Sequence, residues 1–180
     1  KKSGDAKMGD LVALDDNNFL TIEAGKDKDG KLRNVVYRFD ISGATDLTDL
    51  TLPSGTNAGK ALEYGTPAEL SSVITMASKQ LVLDLRAYGY TAEKSEGMAL
   101  VDDRTLVVIN DNDFGATAVI ENDANTTDPT KYVVDSTGAL SFNGAPSPGS
   151  YAIHALEPEA QATNLFVVHL QEPFAGYCSH

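Results

Sequence analysis

Short apolar runs separated by acidic turns recur along the chain. Asp10-Leu11-Val12-Ala13-Leu14 leads through Asp15-Asp16-Asn17-Asn18 into Phe19-Leu20-Thr21-Ile22-Glu23. Acidic and amide residues at such a turn tolerate left-handed backbone and bond their own chain, so the pattern predicts a hairpin. Gly97 to Val101 and Leu106 to Asn110 form a second such pair around Asp102-Asp103. The two hairpins are a repeat. Lys7 to Ala24 aligns without gaps on Lys94 to Asp111, an offset of 94 − 7 = 87 residues, with one lysine and two aspartates identical and the apolar positions in step. Repeated hairpins mark radial or stacked β architecture.

Further strands are predicted at Asn34 to Ile41 and Lys79 to Leu85. Asp27-Lys28-Asp29-Gly30 lacks the flanking helices and distal glutamate of an EF-hand and is read as a hairpin tip. Thr66-Pro67-Ala68-Glu69 is a capping box with proline at the first helical position, predicting a short surface helix over Pro67 to Ala77. Ala116 to Pro129 is polar and reads as a solvated loop. Tyr132 to Asp135 and Ala139 to Phe142 are expected to pair around Ser136-Thr137-Gly138, Asn143 to Gly149 is a breaker, and Asn164 to Leu170 is an outer strand. Four strands and then a restart describe a propeller blade, an innermost strand leading outward before the chain returns to the centre. The expected fold is therefore all-β: about two four-stranded antiparallel blades, 7–93 and 94–172, with a tail at 173–180 and one short surface helix. Two blades cannot close a ring, so a partial propeller is expected, its partners being the remaining propeller blades or chain segments.

Composition narrows the partners. With 26 acidic against 14 basic residues the net charge is −12 and the pI about 4.5, which argues against nucleic acid or an anionic membrane surface and favours cations. No apolar run reaches the 18 residues of a membrane-spanning helix. The single cysteine, Cys178, has no partner for an internal disulfide and is read as structurally silent. No signal-peptide pattern opens the chain, as in a mature secreted protein or a piece of one.

The chemistry-bearing candidates sit at strand ends. In a propeller the innermost strands line the central channel, so Glu96 and the group Asp111, Asn112 and Asp113 are expected at one end of it. Several carboxylate and amide oxygens suit Ca²⁺, which takes six to eight oxygens, better than zinc; the alternative is a plain turn bonded to its own backbone. Glu23 is a candidate ligand or general base, with a solvated strand-end carboxylate as the alternative. Lys7 and Lys94, equivalent in the repeat, are candidates for holding phosphate as point charges, with surface ion pairs as the alternative. His154 and His169 lack the close spacing of a zinc pair. No Gly-x-Ser-x-Gly elbow and no phosphate-binding loop ending in Lys-Ser/Thr is present, so neither a serine triad nor nucleotide hydrolysis is supported.

Gly9 to Leu14 with Phe19 to Glu23, Tyr37 to Asp46, Lys79 to Leu85, Lys94 to Leu100 and Asn110 to Gly115 together resemble the phytase-like family of bacterial secreted proteins, also described as esterase-like activity of phytase. The likeness runs from Lys7 to Phe114 and resumes at Leu165 to Leu170, as for a C-terminal part of that domain. The resemblance implies a β-propeller, a secreted or periplasmic location, and hydrolysis of phosphate or carboxylic esters; the strand-end residues read above supply Glu23 and Glu96 as candidate catalytic residues and Glu96, Asp111, Asn112 and Asp113 as candidate Ca²⁺ ligands. A non-catalytic extracellular binding or scaffolding propeller is the rival reading.

Overall fold

The hairpin repeat is real down to its turns. A computed structural model describes residues 6–27 and 29–174; Cys178 lies outside the described residues. In the first hairpin, β1 (Lys7–Ala13) and β2 (Asn18–Lys26), the Asp15 carboxylate accepts from the Asn17 and Asn18 amides at 2.9 Å each. In the second, the equivalent Asp102 accepts from Arg104 N at 2.8 Å and Thr105 N at 2.7 Å. A short carboxylate that satisfies two turn amides fixes the register of each pair.

The strands follow the predicted order with modest changes of boundary: β3 (Leu32–Asp40), β4 (Ser78–Asp84), β5 (Gly97–Leu100) and β6 (Thr105–Ile109). Strands β1 to β4 form a four-stranded antiparallel meander in sequence order, the form a propeller blade takes. Asp27 tightens the β2–β3 tip by accepting from Asp29 N and Lys31 N, a plain hairpin tip as expected. The helix before β4, α1 (Pro67–Ser71), has the predicted capping box between Thr66 and Glu69 but ends six residues early. The Ser71 and Ser72 hydroxyls bond back to the Ala68 and Glu69 carbonyls, the β-branched run Val73-Ile74-Thr75 follows, and Thr45 and Thr75 bond each other and draw the chain away.

The chain divides into two compact units, residues 1–110 with 165–180, and residues 111–164. In the first unit a second sheet has the order β12-β6-β5, where β12 is Leu165–His169. This sheet has three strands where the pattern predicts four across 94–172. Where the first sheet has the short loop after β2, the second has the whole of 111–164 between its second and third strands. One continuous apolar core joins the two sheets: Leu20, Ile22, Val36 and Leu83 from the first with Met98, Leu106, Val108 and Val168 from the second. Burying such side chains contributes about 1.5–3 kcal/mol each.

The second unit contains β7 (Ala116–Glu121), β8 (Tyr132–Val134), β9 (Leu140–Phe142), β10 (Ala145–Pro146), β11 (Ser150–Ala155) and the one-turn helix α2 (Pro158–Gln161). β8 and β9 pair as predicted. The stretch read as a solvated loop from Ala116 contains β7 instead, paired with β11. Ile120 is the one fully buried residue of that strand, so its own pattern carries little signal, and its partner lies beyond the breaker. A small core of Ile120, Tyr132 and Leu140, with Phe142 against it, holds the unit together.

Candidate functional site

Where β1 and β5 begin, the two repeat-equivalent lysines meet. A cavity of about 290 Å³ is lined by Lys7, Lys26, Glu93, Lys94 and Glu96, with Ala24, Leu32 and two glycines. Three lysines against two glutamates leave it net positive in a chain of net charge −12. Lys7 and Glu96 are exposed and Lys94 half-buried, so the charged groups reach solvent while their backbone is fixed.

That fixing comes from side chains which sequence reasoning missed. Asn34, fully buried on β3, donates through Nδ2 to the Glu93 carbonyl and to Ser95 Oγ, both at 3.1 Å. Its Oδ1 accepts from Arg86 Nε at 2.8 Å. Arg86 in turn donates to the Ala92 carbonyl at 2.6 Å and to that of Thr91 at 3.4 Å. The Tyr90 hydroxyl donates to the Lys94 carbonyl at 2.6 Å. Burial, with Glu96 nearby adding in the same direction, pushes that phenol up to about 12 even though Arg86 opposes the shift, so it stays a donor at neutral pH. The one local signal was an asparagine set beside the apolar pair Val35-Val36 within a strand pattern; its partners, 52 to 61 residues away, carry no such signal.

The approach of β1 to β5 depends on Gly9. A Cβ there would lie 2.4 Å from the Ser95 carbonyl oxygen and 3.3 Å from Glu96 Cα. The Asp10 carboxylate on β1 crosses to accept from Met98 N at 2.7 Å. Together these contacts hold Glu96 at the cavity.

The other candidates lie elsewhere. Glu23 sits on β2 with its carboxylate paired to Lys79, whose ammonium also rests 4.1 Å from the centre of the Tyr37 ring; Glu23 does not line the cavity. Glu96 belongs to the first unit, and Asp111, Asn112 and Asp113 to the second. Asp111 Oδ1 accepts from Asp113 N at 2.8 Å, and Asn112 Nδ2 donates to the Gln161 carbonyl at 2.7 Å. Among the described residues no group of three or more His, Cys, Asp or Glu side chains is arranged to hold a metal ion. His154 pairs with Glu121 at 2.8 Å, and His169 Nδ1 with Thr105 Oγ1 at 2.9 Å.

Blade-like antiparallel sheets, with a charged cavity at the start of two of their strands, describe an all-β protein. The chain belongs to the phytase-like family, described as esterase-like activity of phytase, whose model matches residues 1–114. The matched stretch contains the whole cavity, both hairpins and Asp111 to Asp113. No curated protein and no solved structure matches the chain. Among the described residues no helix is long and apolar enough to cross a membrane.

Proposed function

We propose that the chain is part of a secreted hydrolase of phosphate or carboxylic esters, with the cavity between the starts of β1 and β5 as its substrate site. The observation that carries this reading is the meeting of Lys7, Lys94 and Glu96 at one cavity lined also by Lys26. Lysines are compact point charges suited to the dispersed negative charge of a phosphate or of an ester oxyanion. Glu96 then serves as general base. It takes a proton from an attacking water as the water oxygen bonds to phosphorus or to the acyl carbon. The ester C–O or P–O bond breaks, and the departing oxygen takes a proton from solvent.

Calcium is a separate proposal, supported by the hard oxygen chemistry of Asp111, Asn112 and Asp113 within the second unit. Bound there, Ca²⁺ would supply charge neutralisation for a phosphate. No step above is routed through it, because Asp111 and Asn112 already bond their own unit. Its check is the melting temperature with added Ca²⁺ against a chelator.

Lys7→Ala and Lys94→Ala test the substrate site, with p-nitrophenyl phosphate and p-nitrophenyl acetate as substrates. A rise in KM of at least tenfold for the phosphate ester, with the fold retained, supports it. Turnover by neither ester, or turnover unaffected by both substitutions, favours the non-catalytic binding or scaffolding module. The apolar outer faces of the sheets are the feature that speaks for that second reading.

A further inference from the structure

β11 is left with an open edge. In an antiparallel pair, opposite residues alternate between exchanging their backbone bonds and turning those groups outward. Leu156 N donates to the Gly115 carbonyl at 2.9 Å, one place beyond the pair Ala155 and Ala116, whereas Ile120 N turns away from β11 and donates to the Thr127 carbonyl at 2.9 Å. Ser150, Ala152 and His154 therefore bond to β7, and Tyr151, Ile153 and Ala155 turn their N–H and C=O groups the other way. β7 and β11 make a two-stranded sheet, so among the described residues no strand takes up those groups.

The side chains leave the edge open too. Tyr151 stands opposite Ile120 and Ile153 opposite Ala118, so both share the face whose Ile120 packs against Tyr132 and Leu140. Yet Tyr151 is 50% exposed and Ile153 79%. Edges are ordinarily closed to other chains by a lysine, a proline or a bulge. Ser150 to Ala155 has none of these, and its register with β7 runs unbroken. The edge belongs to the inserted unit and to neither blade-like sheet.

Charge selects what can fill it. Residues 111–164 carry eight acidic side chains against Lys131 alone, a net 1 − 8 = −7. Glu157 and Glu159, both exposed, follow directly on the strand, while Glu121 at its other end is paired with His154. A second copy of the chain would set like charge against like charge. We propose that β11 takes an extended segment of a partner protein as a third strand, apolar at alternate positions to cover Tyr151 and Ile153 and basic at the positions between. Main-chain bonds give such strand addition its affinity, and the alternate side chains its selectivity. The proposal does not rest on the hydrolase reading.

The test uses the 180-residue chain and fluorescein-labelled peptides as long as β11: valine alternating with lysine, valine with glutamate, and proline with lysine. Fluorescence anisotropy should show the valine–lysine peptide binding at least about tenfold tighter than either other, since one has the wrong charge and the other lacks the N–H donors of a strand. On binding, hydrogen exchange should slow at the Tyr151, Ile153 and Ala155 amides and change little at Ala152 and His154, which β7 already holds. Ile153→Pro removes one outward donor and leaves the bonds to β7 in place, and should weaken the valine–lysine peptide by about tenfold or more. If circular dichroism shows that variant to be unfolded, Ile153→Lys, which sets a like charge against the basic strand, takes its place with the same expectation. No binding of the valine–lysine peptide, equal binding of the proline–lysine peptide, protection that skips the outward amides, undiminished binding by the Ile153 variant, or self-association of wild type that Ile153→Pro abolishes overturns the proposal.

Discussion

Removing the Asn34 side chain should cost far more than an ordinary surface polar change, because three groups around the candidate site depend on it. Asn34→Ala deletes two donations, to the Glu93 carbonyl and Ser95 Oγ, and the acceptor of Arg86 Nε. A neutral hydrogen bond contributes about 1 kcal/mol net and one to a charged group about 1.5–3 kcal/mol. The sum is about 3.5–5 kcal/mol, a large share of the roughly 5–15 kcal/mol that holds a domain folded. Urea denaturation followed by circular dichroism measures it, and hydrogen exchange locates it: the amides of Glu93 to Glu96 should lose protection before those of β2 and β3. Pairing the change with Arg86→Ala completes a cycle. The two losses should fall short of additivity by about 1 kcal/mol or more, since they share a bond. A cost below about 1 kcal/mol for Asn34→Ala, or additive effects, would refute the view that this network positions the Glu93–Glu96 loop.

Gly9→Ala should destabilise by about 1–3 kcal/mol through overpacking against the Ser95 carbonyl, with the shift in urea midpoint as the readout and the Glu96 amide resonance moving most. At low pH, Glu69 is informative: its bonds to Thr66, then those to Asn57, hold it down at about 2, against an ordinary 4.5. A lowered folded-state pKa adds stability above the unfolded value that is lost as pH falls, so the α1 region should loosen between about pH 4.5 and 2, and Glu69→Gln should abolish that pH dependence in the local amides. At high pH, Tyr90, pushed up to about 12 mainly by burial, gives the reverse sign. Its contribution is complete below the ordinary phenol value near 10 and is lost as pH rises towards 12. Ultraviolet titration of Tyr90→Phe against wild type should show the loss of one late-titrating phenol, while Tyr132, also pushed up by burial, remains.

Hairpins, strand order and the helix start were legible because each rests on local chemistry. Asp15 and Asp102 cap turns with their own neighbours, and Thr66 and Glu69 satisfy a helix end within four residues. The end of α1 was not legible in the same way, since the chain that leaves it is held by Thr75 bonding to Thr45, thirty residues away. β7 was hidden for a different reason: five of its six side chains escape full burial, and β11 lies across a long breaker. At the site, the repeat brought out Lys7 and Lys94, and the propeller strand order brought out Glu96; all three line one cavity. It also drew attention to Glu23, whose carboxylate is paired with Lys79 on the meander. Asn34 and Arg86 act over more than fifty residues of sequence, a distance that no local pattern encodes.

Glu96 is the residue on which the hydrolase proposal turns, so kcat for p-nitrophenyl phosphate in Glu96→Gln against wild type is the most direct measurement. The amide keeps the size of the side chain and removes its capacity to take a proton. A positioned general base contributes about 10²–10⁴-fold, so kcat should fall by at least about a hundredfold with KM little changed and the melting temperature preserved. A folded Glu96→Gln protein that turns over at the wild-type rate would contradict the account.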